Sequence, residues 1–217
     1  MLFSTGSARQ DVYLNIRAPV SDRVTLGAAI EPSWRFSRFD LYAEGAVEVE
    51  LSEAVSVNAR LGGTPDADFR PQWQLGLGAR ARLTGKRNAT IATIDARQAR
   101  FAAGSVQTLS PGIEQYLVDG RVWITAQWIN LFDETGRHRA GWLARGDVLA
   151  TDRLRLFSGY ADAPDTSEGR TVDVRGVFVG AAYGVNDTLE LRGSLSREHR
   201  WIGADRHSVS VGLGLRF

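Results

Sequence analysis

Apolar and polar residues alternate one by one along almost the whole chain, and the clearest example is its end. From His207 to Phe217, the residues Val209, Val211, Leu213, Leu215 and Phe217 interleave with Ser208, Ser210, Gly212, Gly214 and Arg216. A period of two puts the first set on one face of a β-strand and the second on the other. A soluble edge strand usually carries a Lys, a Pro or a bulge that discourages further pairing. This one has none and stops on an aromatic residue. It predicts the closing strand of a transmembrane β-barrel, apolar toward lipid and polar toward the lumen.

The same period recurs upstream. Val12, Leu14, Ile16 and Ala18 oppose Tyr13, Asn15 and Arg17; Val24, Leu26, Ala28 and Ile30 oppose Thr25, Gly27, Ala29 and Glu31. Val47, Val49 and Leu51 oppose Glu48 and Glu50, and Trp73, Leu75, Leu77, Ala79, Ala81 and Leu83 oppose Gln74, Gly76, Gly78, Arg80 and Arg82. Residues 89–101 carry Ala and Arg that also suit a helix, but their neighbours require a strand. Pro111, within LSPGIEQYL, predicts a bulge or a strand end.

Connections alternate in kind. Ser21-Asp22, Ser52 to Ala54, Thr84 to Asn88, Asp119-Gly120, Thr151-Asp152 and Asn186-Asp187 are short turns. Between them stand GGTPDADFRP, FDETGRHR, ADAPDTSEGR and EHRWIGADR, which predict longer polar loops on the opposite side, as in outer-membrane barrels. Strand-plus-connection units average roughly 16–17 residues, enough for the ~9–11 that cross a bilayer. Trp34, Tyr160 and Trp201 fall near the long-loop ends, where an aromatic girdle is expected. The predicted fold is thus all-β, an antiparallel up-and-down transmembrane barrel of 12–14 strands over residues 11–217, preceded by a remnant at 1–10. About thirteen strands are visible. Bacterial barrels have an even number, so a further strand and a targeting segment are expected upstream of Met1.

Composition narrows this picture without overturning it. Hydrophobic residues make up 43% and mean hydropathy is −0.19, values that suit a soluble protein and also a barrel in which only alternate residues meet lipid. No apolar run reaches the length of a membrane-spanning helix. A net charge of +1 gives no reason to expect nucleic acid as a partner. With no cysteine, thiolate metal sites and thiol redox chemistry are excluded.

Several stretches resemble the YaiO family of outer-membrane β-barrel proteins: GGTPDADFRPQW (Gly62 to Trp73), LSPGIEQYL (Leu109 to Leu117), WITAQWINLFDETGRH from Trp123, LRLFSGYADAPDTSEGRTVDVR (Leu154 to Arg175) and the GLGLRF ending. The resemblance implies a location in the outer membrane of a Gram-negative bacterium and a link to surface polysaccharide. It brings no catalytic site to transfer.

The candidate chemistry lies on the face opposite the lipid stripe. Glu44, Glu48, Arg80, Arg82, Glu114, Arg145, Asp147, Asp173, Arg175, Glu190, Arg192 and Arg216 are expected to line the lumen. So many ions must be hydrated or paired, which leaves either a water-filled path or a salt-bridged plug. His138, His199 and His207 lie near the presumed outer loops, with Ser196, Ser208 and Asp205 close in sequence to the last two, but no GxSxG or HExxH pattern is present. Asp162, Asp165, Glu168 and Asp173 do not follow calcium-loop spacing. The expectation is a porin-like channel or export component that is not an enzyme and has no cofactor or metal. Its expected partners are outer-membrane lipid and lipopolysaccharide, polysaccharide, and the barrel-assembly machinery through the closing strand. The alternatives are an outer-membrane enzyme using a rim His/Ser site, a structural plugged barrel, and a soluble lipocalin-like binder.

Overall fold

A computed structural model describes residues 9–35, 37–201 and 205–215. Among them the alternating stretches form β1 (Gln10–Asp11), β2 (Leu14–Ser21), β3 (Val24–Arg35), β4 (Arg38–Glu50), β5 (Val55–Gly63), β6 (Trp73–Arg82) and β7 (Thr90–Phe101). These continue into β8 (Gly104–Leu117), β9 (Val122–Phe132), β10 (His138–Leu149), β11 (Leu154–Ser167), β12 (Arg170–Gly184), β13 (Leu189–Arg200) and β14 (Arg206–Leu215). All fourteen belong to one sheet, with each strand from β3 onward paired antiparallel to the next. Both β1 and β2 pair with β3, so they are two stretches of one edge strand. The predicted antiparallel meander is therefore present, and residues 90–101 are strand despite their Ala and Arg.

The sheet curls back on itself. Arg9, beside β1, lies 2.8 Å from Glu168 and 3.2 Å from Ser167 at the tip of the β11–β12 hairpin, many strands away in sheet order. Such a contact needs a sheet curved strongly enough to have an inner and an outer face. Over most of each strand the residues on the inner face are polar or small, and those on the outer face are apolar. On β3, Thr25, Glu31 and Arg35 are part-buried and Ser33 is fully buried, whereas Leu26, Ile30 and Trp34 are exposed. The outward set continues through Leu75, Leu77, Ile113, Ile124, Leu156, Val177, Val179, Leu191 and Leu195, all exposed. An apolar belt thus surrounds a charged interior, the inverse of a soluble domain.

At one end, called here the turn end, short side-chain devices reverse the chain. Ser52 Oγ accepts from the backbone N–H of Ala54 and Val55, Thr151 Oγ1 from Arg153 and Leu154, and Asn186 Oδ1 from Thr188 and Leu189. Each side chain satisfies amides that the ladder leaves free. The opposite end, the mouth, departs from the sequence expectation. ADAPDTSEGR is not a loop: β11 runs to Ser167 and β12 starts at Arg170, joined only by Glu168 and Gly169 with φ of 59° and 72°. Two successive positive φ values mark the two-residue hairpin turn that matches strand twist. Nor does Pro111 bulge its strand. The β8 register is constant on both sides, and pairing to β9 merely lapses at Ser110 and Pro111, where proline has no N–H to give.

Near the mouth the pattern inverts. Ala99, Phe101, Val106 and Leu131 form a buried cluster on the inward face, with Val174 also buried. On the outward side at this level stand Arg100, Asn130, His138, Arg175 and His199, all exposed or half-buried. Trp34 with Phe39 (ring centroids 5.2 Å apart) and Trp142 with Tyr160 (5.2 Å) lie on the outward face next to this change, where the girdle was expected.

Candidate functional site

Two regions of the interior differ in kind: an open half toward the turn end and a filled half at the mouth. In the open half, a cavity of about 350 Å³ is lined by Arg17, Glu48, Asn58, Arg60, Arg80, Asp95, Glu114 and Gln127. A second, of about 540 Å³, shares Thr25 and Glu48 with it and reaches the Asp22-Arg23 turn. A third, of about 450 Å³, lies among Trp123, Arg155, Glu190 and Arg192.

Strand periodicity puts these charges side by side. Arg80 donates to Glu114 across β7 at 2.8 Å, and Arg60 meets Asp95 at 3.4 Å. Arg192 bonds Glu190 two residues away on its own strand. Arg145 grips Asp147 through two nitrogens, at 2.6 and 2.8 Å, while its guanidinium lies 4.6 Å from the centre of the Phe157 ring. Asp147 is only 1% exposed, so this bidentate pair is what makes a buried carboxylate tolerable. Phe157 lies over Gly180 and Phe178 over Gly159, where any Cβ would collide with the ring. Each ring thereby covers a glycine of the neighbouring strand.

At the mouth, residues 64–72 fold inward instead of outward. Asp40 Oδ1 accepts from the backbone N–H of Asp68 at 3.1 Å, and its Oδ2 from Phe69 and Arg70 at 2.9 and 2.7 Å. Arg70 then crosses the inner wall to Ser33 (3.1 Å from Nε), to Asp11 (3.1 Å from Nη2) and to Glu31. Phe69 packs 5.0 Å below the Arg35 guanidinium. From the other side the β11–β12 hairpin leans over: Glu168 lies 2.8 Å from Arg9 and 3.9 Å from Arg35, and Gly169 touches Phe101 and Ala103. A continuous line of contacts from Phe69 through Arg35 and Glu168 to Phe101 therefore spans the mouth.

The back of that hairpin is held by the β9–β10 turn. Glu134 accepts from the Thr171 N–H, and Arg139 bridges Asp133 (3.0 Å) and Asp173 (3.2 Å). Burial pushes the Asp133 carboxyl up. Hydrogen bonds from the Thr135 hydroxyl, Arg139 and the backbone N–H of Arg137 and Thr135 outweigh this and hold it well below the usual carboxylate range. A depressed folded-state pKa contributes stability that is present above the unfolded value, ~3.9, and is lost as pH falls through the folded one. Amide hydrogen exchange of residues 133–139 in the folded protein should thus stay slow down to about pH 4. Asp133→Ala should lose this protection at every pH, weakening the turn by about 1.5–3 kcal/mol. Protection unchanged by the substitution would show that the carboxylate does not hold the turn.

Of the residues expected to line the lumen, Glu44, Glu48, Arg80, Arg82, Glu114, Arg145, Asp147, Glu190 and Arg192 have the inward strand parity. Glu44 accepts from the Tyr42 hydroxyl. Arg216 lies outside the described residues. Asp173 and Arg175 are corrections. Along β12 the apolar residues change phase, from Val172 and Val174 to Val177 and Val179, while the backbone register with β11 never slips. The inward positions there are Val174, Gly176, Phe178 and Gly180, so Arg175 points outward, pairs with Asp162 at 2.8 Å and lies over Trp201. Asp173 serves the hairpin's back. Asp40, Arg70 and Asp95 were missed; strand parity could have found Asp95 and also Asp40, which shares a face of β4 with Glu44 and Glu48, whereas no local signal marks Arg70.

The histidines and serines are not brought together. His199 bonds Asp205 at 2.7 Å on the outward face, while Ser196 and Ser208 face inward. The acidic residues of the former loop disperse as well: Asp162 pairs with Arg175, Asp165 with Arg200 and Glu168 with Arg9.

No protein-family model matches the sequence, and no curated protein matches it, so the resemblance to the YaiO family rests on the quoted stretches alone. Among solved structures the chain is similar to OmpT, an outer membrane protein of Vibrio cholerae, folded in vitro. Identity is 10%, the match covers 97% of this chain and 89% of that one, and the TM-score is 0.33. The expectation that this chain is not an enzyme is corrected at this point. The matched structure is OmpT, and a barrel likeness at this distance neither transfers an activity nor leaves grounds for excluding one.

Proposed function

We propose that this chain is an outer-membrane β-barrel whose charged interior is a conduit for small polar solutes, shut at the mouth by the inward-folded 64–72 loop and the β11–β12 hairpin. The observation that carries this reading is the inversion of polarity between belt and interior. Exposing Leu77, Leu191, Val177 and their neighbours to water as one belt would far exceed the few hundred Å² of apolar patch a soluble monomer shows, whereas a bilayer accepts it. Ion pairs of both signs around the open cavities fit a hydrated path rather than an apolar ligand site. The inverted segment near the mouth fits strands that rise above the hydrocarbon into water.

Under this reading the mouth faces outward and the turn end faces the periplasm. Lipopolysaccharide meets the aromatic girdle, the closing strand Val209–Leu215 is what assembly machinery engages, and the YaiO resemblance directs the conduit toward a surface glycan. Refolded protein should show heat-modifiable gel mobility in detergent. In a planar bilayer it should give rare, brief openings whose current differs between charged and sugar solutes. A monomer that folds in detergent-free buffer would remove the membrane reading. Correctly inserted protein that stays silent even with the mouth loosened would leave a purely structural barrel.

A further inference from the structure

The two halves of the mouth closure are anchored unequally. The 64–72 loop is rooted in the wall: Asp40 takes three backbone N–H groups, and Arg70 reaches Ser33, Asp11 and Glu31. Where the β11–β12 hairpin meets this half, its tip is held by Ser167, 3.2 Å from Arg9, and by the Glu168 carboxylate, held between Arg9 and the more distant Arg35. The Nε of Arg35 is buried there without a hydrogen-bond partner among the described residues, a cost that a fully made interface would avoid. On its far side the tip rests on Phe101 and Ala103 through Gly169, and the hairpin's back is tied to the β9–β10 turn by Glu134 and Arg139, which leaves the bonds to Arg9 and Arg35 as its link to the sill.

We infer that the β11–β12 hairpin is the moving gate and the 64–72 loop a fixed sill, parting at Glu168. This rests on the conduit reading above. Replacing the carboxylate by a cation would leave three positive side chains facing one another, and the tip would swing away from the sill. The hairpin is suited to rigid-body motion, because Glu168-Gly169 is a two-residue turn at the end of two long paired strands and has no slack of its own.

The absence of cysteine makes a cross-link specific. A Cβ at Gly169 lies 3.3 Å from that of Ala103, near the ~3.5–4.5 Å of a disulfide, and 2.9 Å from that of Phe101, which must shift to admit it. Single-channel recordings are taken on the full chain, with each variant shown by heat-modifiable mobility to be folded. Glu168→Lys should raise the open fraction roughly tenfold. The pair Ala103→Cys and Gly169→Cys should be silent when oxidised and should regain openings on reduction. If Asp40→Ala conducts while Glu168→Lys leaves the open fraction unchanged, or if the oxidised pair gates freely, the hairpin is not the gate. If no variant conducts, Asp40→Ala included, the conduit reading falls and the gate with it.

Discussion

Leu77→Arg and Val179→Arg should each destabilise the inserted fold by about 2–4 kcal/mol, while Ser210→Arg should leave it intact. Leu77 and Val179 are outward residues in the middle of the apolar belt, each about half exposed, with outward apolar neighbours such as Leu75 and Val177 along the same strands. An arginine on the lipid-facing side of a barrel near the bilayer midplane costs about 2–4 kcal/mol. That is a large share of a net stability of about 5–15 kcal/mol. Ser210 lies on the inward parity of β14, opposite Ser194, where a cation finds water and the carboxylates of the lumen. Urea-dependent folding into lipid vesicles, followed by heat-modifiable mobility, would read the difference. Equal tolerance of all three substitutions would mean that the belt does not face hydrocarbon.

Asp40→Ala should turn rare openings into frequent ones. Its carboxylate is 2% exposed and satisfies the N–H groups of three successive residues. Those donors lose their partner in the alanine variant, at a cost of about 1–3 kcal/mol, which is about 5- to 150-fold in the balance between docked and undocked loop. The substitution removes nothing from the open half of the lumen, so the ion selectivity of each opening should be unchanged. Glu114→Gln, by contrast, should shift selectivity toward anions with little effect on the open fraction. It frees the Arg80 guanidinium, which now donates to Glu114 at 2.8 Å, beside the cavity. A loop that stays docked without Asp40 would show that Arg70 and Phe69 suffice to hold it.

How much of this was legible in the sequence follows from how local each signal is. Alternation is a property of neighbouring residues, and it separates Leu26, Leu77, Val177 and Leu195 from Glu48, Arg80, Glu114 and Arg145, two sets that have opposite strand parity in the structure. Even β7, with residues that suit a helix, is dictated by strands on both sides. The same alternation misplaces Asp173 and Arg175, because the environment outside the strand changes where the backbone does not. Near the mouth the outward face is polar and the inward face packs Phe101, Val106, Leu131 and Val174, so an apolar residue there means inside. The stretch ADAPDTSEGR looks like a loop for a related reason: polar residues on the outward face hide a strand that continues beyond the belt. The closure itself could not be read, since Asp40, Arg70 and Glu168 act on partners dozens of residues away, or on backbone N–H groups that carry no sequence signature.

The central claim is the assignment of faces, apolar to lipid and polar to water, and a site-directed cysteine scan tests it most directly. Single cysteines placed in turn from Ser208 to Leu213 on β14, and at Val177, Phe178 and Val179 on β12, can each carry a fluorophore in protein folded into vesicles. Labels at 177, 179, 209, 211 and 213 should be quenched by a nitroxide on the lipid chains, and those at 178, 208, 210 and 212 by iodide in the water. Quenching by iodide at both sets would contradict a barrel in a membrane.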